Sequence, residues 1–283
     1  MAIDTSFLSQ LDRFNLVVKK RVTSSYIGPR KSIALGRGLI FKEHRIYAPG
    51  DDIRSIDWRV FARTDDLYIK TYEEERNLVV HLIVDCSSSM NFGKSVTKFD
   101  YASMLGVGFA YLALKENEKF MFSTFSESLE VFQPRRGMSQ LAAMINHLNS
   151  MKTKGFSKVR DAITQYKKLI GSRAMIVLIS DFLMPIEEIR ESLYMLGRNE
   201  IKIIQVLDPL EKNLRIEGDF KLKDSETGEH LRTYISPRLR QRYQNMLADH
   251  SAKIEEACSK LGMHFHLITT DTPVFDAFYR ILE

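Results

Sequence analysis

From residue 78 onward the chain alternates short apolar runs with longer segments whose apolar residues return every three or four positions. That alternation predicts an α/β fold in which a mostly parallel central sheet carries helices on both faces, because parallel neighbours need long crossovers and helices supply them. The predicted strands are Leu78–Val84, Lys119–Phe125, Ala174–Ser180, Ile201–Leu207 and Met263–Ile268. Several are so continuously Val, Ile and Leu that they read as buried on both sides. The predicted helices are Phe99–Lys115, Gln140–Met151, Val159–Ile170, Ile186–Leu196 and Arg238–Leu261, with Pro185 and Pro237 standing where helices should begin.

Residues 1–77 do not follow this plan and are read as a small N-terminal module, with 78–283 as the main domain. A helix is expected over Thr5–Arg21, followed by a Gly/Pro-spaced stretch, the string HRIYAPGDDIRSIDWRVFART and a strand-like LYIKTYEEER. Within the main domain, Phe220–Ile235 places DSETGEH between two extended stretches, so a hairpin insertion near 220–235 with its tip at Thr227-Gly228 is expected to decorate the sheet's edge.

Composition excludes several function classes. With 44% hydrophobic and 27% charged residues the chain is not a disordered one. No apolar run approaches the roughly 20 residues that cross a bilayer. The opening MAIDTSFLSQLDRF sets Asp4 and Asp12 where a signal peptide needs an apolar core, so the expected location is cytoplasmic. Cys86 and Cys258 are too few and too far apart for a disulfide framework or a cysteine zinc site. The 41 basic residues interleave with 36 acidic ones, apart from the cluster Lys19, Lys20, Arg21, Arg30, Lys31 and Arg37. That cluster reads as a solvated or partner-facing surface, and no nucleic acid is expected.

The chemistry lies in IVDCSSSM, Ile83–Met90. Side chains at i, i+2 and i+4 of an extended chain point the same way, so Asp85, Ser87 and Ser89 converge just beyond the strand's end. One carboxylate and two hydroxyls form a hard-oxygen claw suited to Mg2+, with Mn2+ or Ca2+ as alternatives, and so few charges leave coordination positions open. Open parallel sheets bind ligands outside the carboxyl ends of their strands. Asp181 follows MIVLIS as Asp85 follows HLIV, and a third hydroxyl is expected from the loop KTKGFSKVRDA, from Ser157 or from the competing Thr153. Cys86 lies between two of these residues, but its side chain should point the opposite way, into the core.

This constellation resembles the metal-ion-dependent adhesion site of von Willebrand factor A domains. The resemblance implies a Rossmann-like domain whose metal is held by Asp85, Ser87, Ser89, Ser157 in the place of the usual threonine, and Asp181, with a partner protein supplying an Asp or Glu. Upstream, Arg45, Tyr47, Pro49, Gly50, Asp51, Asp52, Arg54, Asp57 and Trp58, followed by Ala62-Arg63-Thr64, resemble the signature block of the bacterial domain-of-unknown-function family 58. That likeness covers nearly the whole chain. It implies a MoxR-type AAA+ ATPase, or its client, as partner and a chaperone-like or maturation role, with no reaction and no catalytic residues. Within the block, Arg45, Arg54 and Arg63 interleave with Asp51, Asp52 and Asp57 around a Pro-Gly turn, so one ion-pair network is expected, serving as a structural clamp or as a docking surface.

Competing readings are weaker. Gly93-Lys94-Ser95 lacks the glycine of a phosphate loop, since Ser88 stands in its place. A metal-dependent phosphoesterase with Asp85 as nucleophile is the enzymatic alternative, but Ser87 stands where the second aspartate of that chemistry belongs. The seven histidines include no HExxH and read as structural.

Overall fold

The computed structural model describes residues 3, 5–14, 39–74, 78–135, 137–171, 174–197 and 199–282. They belong to two compact units, Lys19–Asn77 and the combination of Met1–Val18 with Leu78–Glu283.

In the smaller unit, β1 (Leu39–Ile46) pairs antiparallel with β2 (Tyr68–Glu74), with a bulge between Phe41 and Glu43. The connection between them carries a 3-10 turn at Ile53–Ser55 and α1 (Trp58–Thr64), each started by an aspartate whose side chain accepts a main-chain N–H: Asp52 from Arg54, Asp57 from Arg59. Arg45 donates to Asp51 at 2.7 Å, and the Ala48 amide donates to the same oxygen at 2.9 Å, which closes the Pro-Gly turn. The expected network is otherwise differently wired. Asp57 pairs with His44 at 2.9 Å and Lys70 at 3.1 Å, neither of them an arginine, and His44 leads in drawing its carboxyl down to about 2. Arg54 meets Asp52 through its amide, and Trp58 packs edge-on against Phe61. Turn and cap geometry took these aspartates before the arginine side chains could.

The larger unit is a mixed α/β body. Its strands are β3 (Val79–Asp85), β4 (Lys119–Phe125), β5 (Leu129–Arg135), β6 (Ala174–Ser180), β7 (Glu200–Leu207), a separate pair β8 (Gly218–Lys223) and β9 (His230–Ile235), and β10 (His264–Thr269). Its helices are α2 (Lys98–Lys115), α3 (Met138–Ser150), α4 (Val159–Tyr166), α5 (Ile186–Leu196), α6 (Pro209–Asn213), α7 (Pro237–Lys260) and α8 (Val274–Leu282). Six strands form one sheet in the order β10-β7-β6-β3-β4-β5, parallel except where β5 pairs with β4. After β3 the chain moves out to β4 and then returns past β3 to β6. The strand order therefore reverses between β3 and β6, which is where ligand crevices of open α/β sheets lie.

Period-two alternation divides the apolar runs between two cores. Leu82, Val84, Val177 and Ile179 face α2, α3 and α8, whereas Ile83, Ile176 and Leu178 face α4, α5 and α7. Both faces being covered explains why β3 and β6 are apolar without interruption. On the second face His81 meets the Tyr166 hydroxyl at 2.8 Å, and burial pushes its imidazole down to about 4, so it is neutral at physiological pH.

Two expectations change. The helix over Thr5–Arg21 is a 3-10 helix at Ser6–Arg13, and residues 15–21 lie outside the described ones. That segment belongs to the unit of the sheet, not to an N-terminal module, because Phe7 and Leu11 are buried in the first core. The insertion at 220–235 does form a hairpin, but β8 and β9 pair with each other as a two-stranded sheet and add nothing to the edge of the large one. Strand β5 has no counterpart among the predicted strands, since Pro134 marks an edge strand at best, which is where it lies. Among the described residues no helix is long and apolar enough to cross a membrane.

Gly108 sits where α2 crosses α8 and the Ser6–Arg13 segment. A Cβ there would lie 2.4 Å from the Phe278 ring and 3.0 Å from Leu11. Gly108→Ala is expected to be destabilising by about 1–3 kcal/mol from overpacking, with the roughly 1 kcal/mol gain in helix propensity offsetting part of it. A thermal melt at or above that of the wild type would contradict this close approach.

Candidate functional site

Strand β3 ends at Asp85, which is fully buried, as is Ser87, while Ser89 and Ser157 are half-buried. Asp85 Oδ1 accepts the Ser87 amide at 2.8 Å. Its Oδ2 accepts two hydroxyls, Ser157 at 2.7 Å and Ser180 at 2.6 Å. Ser87 Oγ and Ser89 Oγ lie 3.1 Å apart on the next turn of chain. Main-chain bonds hold the two loops in register: Ser88 donates to the Gly155 carbonyl at 2.9 Å and Lys154 to the Cys86 carbonyl at 3.0 Å. Those bonds bring Ser157, and not Thr153, onto the Asp85 carboxylate. Cys86 points away, with its thiol on the Phe125 carbonyl at 3.2 Å, and burial pushes it up to about 11.

Burial raises the Asp85 carboxyl to about 6, Asp181 adds like-charge repulsion, and the bonds from Ser180 and Ser87 work against the rise. Asp181, at the end of β6, is also buried. The next residue, Phe182, has a φ of 50°, a left-handed conformation rare for a bulky side chain, and it turns the chain sharply after the carboxylate. Asp181 Oδ1 accepts the Leu183 amide at 3.2 Å, and the Asp181 carbonyl accepts the Gln205 side chain at 2.8 Å.

Asp181 Oδ2 holds the Lys98 ammonium at 2.7 Å, and Lys98 also reaches Glu211 at 2.8 Å. Lys98 is completely buried at the first position of α2, where the positive end of the helix dipole repels a cation. Burial disfavours its charge, yet Asp181 and Glu211 together hold the ammonium above its ordinary value. Burial raises Glu211, with Lys98 opposing. A fourth carboxylate comes from the β8–β9 tip. Burial raises the Glu226 carboxyl, the charges of Asp181 and Asp85 add to the rise, and the Ser157 main-chain N–H works against it.

The donors that converge are all oxygen. Among the described residues no three of His, Cys, Asp and Glu share an ion position, so a cation at Asp85 would rest on the hydroxyls of Ser87, Ser89 and Ser157, one or two carboxylates and water. That set fits Mg2+ or Mn2+ and does not fit zinc. Asp181, already tied to Lys98, is suited to act from outside the inner ring.

Sequence reasoning missed Ser180, Lys98, Glu211 and Glu226. A lysine at the first helical position after the Thr97 cap was a readable anomaly. Ser180 carried a weaker signal, as a hydroxyl closing an otherwise apolar strand.

Residues 43–253 match the family described as Protein of unknown function DUF58. The chain belongs to the DUF58 family. This DUF58 chain is 29% identical to the uncharacterized proteins Mb1516 of Mycobacterium bovis and Rv1480 of Mycobacterium tuberculosis over 273 residues, which is 95% of this chain and 86% of each relative. Among solved structures it is similar to the conserved hypothetical protein BatB of Bacteroides thetaiotaomicron, at 12% identity and a TM-score of 0.44 over 73% of this chain and 97% of that one. It is also similar to an aerotolerance-related membrane protein of Bacteroides fragilis, at 15% identity and a TM-score of 0.45 over 73% and 98%.

Proposed function

We propose that this DUF58 protein is a metal-dependent protein-interaction module on a Rossmann-like von Willebrand A-type domain. Asp85, Ser87, Ser89, Ser157 and Asp181 form its metal-ion-dependent adhesion site, holding Mg2+ directly or through water, and a partner's Asp or Glu completes the shell. One observation carries the reading: three serine hydroxyls gather about a buried carboxylate where the strand order reverses, with a second carboxylate on the neighbouring strand end. A buried carboxylate raised to about 6 gains from any cation that arrives. The partner class, a MoxR-type AAA+ ATPase or its client in a cytoplasmic maturation or chaperone-like role, rests on the sequence resemblance.

Phosphoester hydrolysis is less well supported. Asp85 has no exposed surface and both its oxygens accept hydrogen bonds, which suits a ligand better than a nucleophile.

The test begins with calorimetric titration of Mg2+ and Mn2+ into the purified protein and a Ser87→Ala variant. Retention of a purified MoxR-type ATPase on immobilised protein, in Mg2+ and in chelator, follows. Binding of one ion and Mg2+-dependent retention, both lost in Ser87→Ala, are expected. Retention that survives chelator and the substitution would overturn the adhesion-site reading.

A further inference from the structure

The register of β8 and β9 divides the hairpin's side chains by chemistry. One face carries Phe220 opposite Thr233 and Leu222 opposite Leu231, and the other carries Lys221 opposite Arg232 and Lys223 opposite His230. Leu222 is 39% exposed and Leu231 63%, so the apolar row lies open to solvent, although the buried Ile235 anchors the hairpin at its base. Lys221, Lys223, His230 and Arg232 are all exposed. Like charges set directly opposite each other destabilise a strand pair, and among the described residues no carboxylate forms an ion pair with Lys221, Lys223 or Arg232. Both strands are also edges, since β8 and β9 form a sheet of two. Among the described residues their outer main-chain groups bond to no other element. The hairpin thus combines open edges, an uncovered apolar row and an unneutralised basic row.

We infer that the β8–β9 hairpin is a docking edge for an extended segment of a partner protein in which acidic and apolar residues alternate. Such a segment adds a third strand. Its main chain fills an open edge, its apolar side chains continue the row of Phe220, Leu222 and Leu231, and its carboxylates stand beside Lys221, Lys223 and Arg232 on the other face. Three strands with an apolar face hold together in water where two do so only marginally. Charge selects the occupant. Edge lysines commonly keep strands from pairing at random. Here they share one face with Arg232 across both strands, so they repel a basic segment and attract an acidic one. The surface needs no ion, which sets it apart from the serine and aspartate site.

The experiment uses the full chain in chelator, so that no ion at Asp85 contributes. The probe is a fluorescein-labelled peptide of alternating glutamate and valine, read by fluorescence anisotropy. Two further peptides are compared: one of the same composition with its glutamates in a single block, and the alternating one with every amide N-methylated. The variants are Lys221→Glu with Arg232→Glu and, as control, Lys167→Glu with Lys168→Glu, the same charge change on exposed residues elsewhere. Circular dichroism checks that each is folded. Saturable binding of the alternating peptide is expected, about tenfold weaker in the hairpin variant and for the block peptide, unchanged in the control and absent after N-methylation. Equal losses in the two variants would reduce the effect to net charge, and undiminished binding of the N-methylated peptide would show a charge contact without strand addition. Either result overturns the docking edge, as does a wild type that binds no alternating peptide. Phosphatidylserine vesicles that bind the wild type but not the hairpin variant, where the peptide binds neither, would give the face to a membrane instead. Should the hairpin variant fail to fold, the three peptides on the wild type decide alone.

Discussion

Replacing Lys98 by methionine is expected to lower the unfolding free energy by about 3–5 kcal/mol, because it removes the cation from a buried group that then retains two carboxylates. The ammonium is fully buried and reaches Asp181 at 2.7 Å and Glu211 at 2.8 Å. Methionine fills most of the same volume, so the loss reports charge more than packing. Urea denaturation at neutral pH is the measurement, and a change below about 1 kcal/mol, the range of an exposed pair, would remove Lys98 as the organising cation. The deficit should shrink at low pH, where Glu211, raised by burial, takes up a proton and no longer needs the ammonium. If the metal-site reading holds, saturating Mg2+ also restores part of the loss.

Asp85→Asn is expected to abolish divalent-ion binding and, without metal, to stabilise the fold at neutral pH. The Asp85 carboxyl rises from 3.8 to about 6 on folding, so the folded state holds its proton more tightly. Well below pH 3.8 the group is neutral in both states and costs nothing. As pH rises toward 6 it ionises in the unfolded chain first, and above 6 the full penalty is present, at most about 3 kcal/mol for a rise of that size. Asparagine has no such penalty, and the Ser157 and Ser180 hydroxyls can rotate to meet its amide. The variant should therefore gain about 1–3 kcal/mol over the wild type at pH 7.5 and nearly nothing at about pH 3. Equal stability at both pH values would mean that Asp85 is not a strained carboxylate. In the wild type, metal affinity should fall about tenfold per pH unit below 6, since the ion must displace a proton.

Periodicity placed β4 and β6 at their observed limits and β3, β7 and β10 within a residue; for β3 and β6 the reason is that strands buried on both faces are apolar nearly throughout. It also located α2 through α5 and α7, whose helical periods are long enough to read. Strand β5 and the short α6 carry no such signal: one is an edge interrupted by proline, the other a single capped turn. The Asp85, Ser87 and Ser89 claw was legible because its residues lie on one extended segment and strand geometry aims them together. Asp181 was legible because it repeats the position of Asp85 at another strand end.

What the sequence determined by itself is local: where strands and helices lie, and which side chains a single segment projects together. Pairing across long separations was decided by the tertiary structure. Lys98 is 83 residues from Asp181 and 113 from Glu211, and nothing local marks them as partners. Ser157 was separated from Thr153 only by main-chain bonds between two loops. The physical reason is common to both. Backbone periodicity is a property of neighbours in the chain, whereas a buried charge acquires its partner only when packing excludes the water that would otherwise have solvated it.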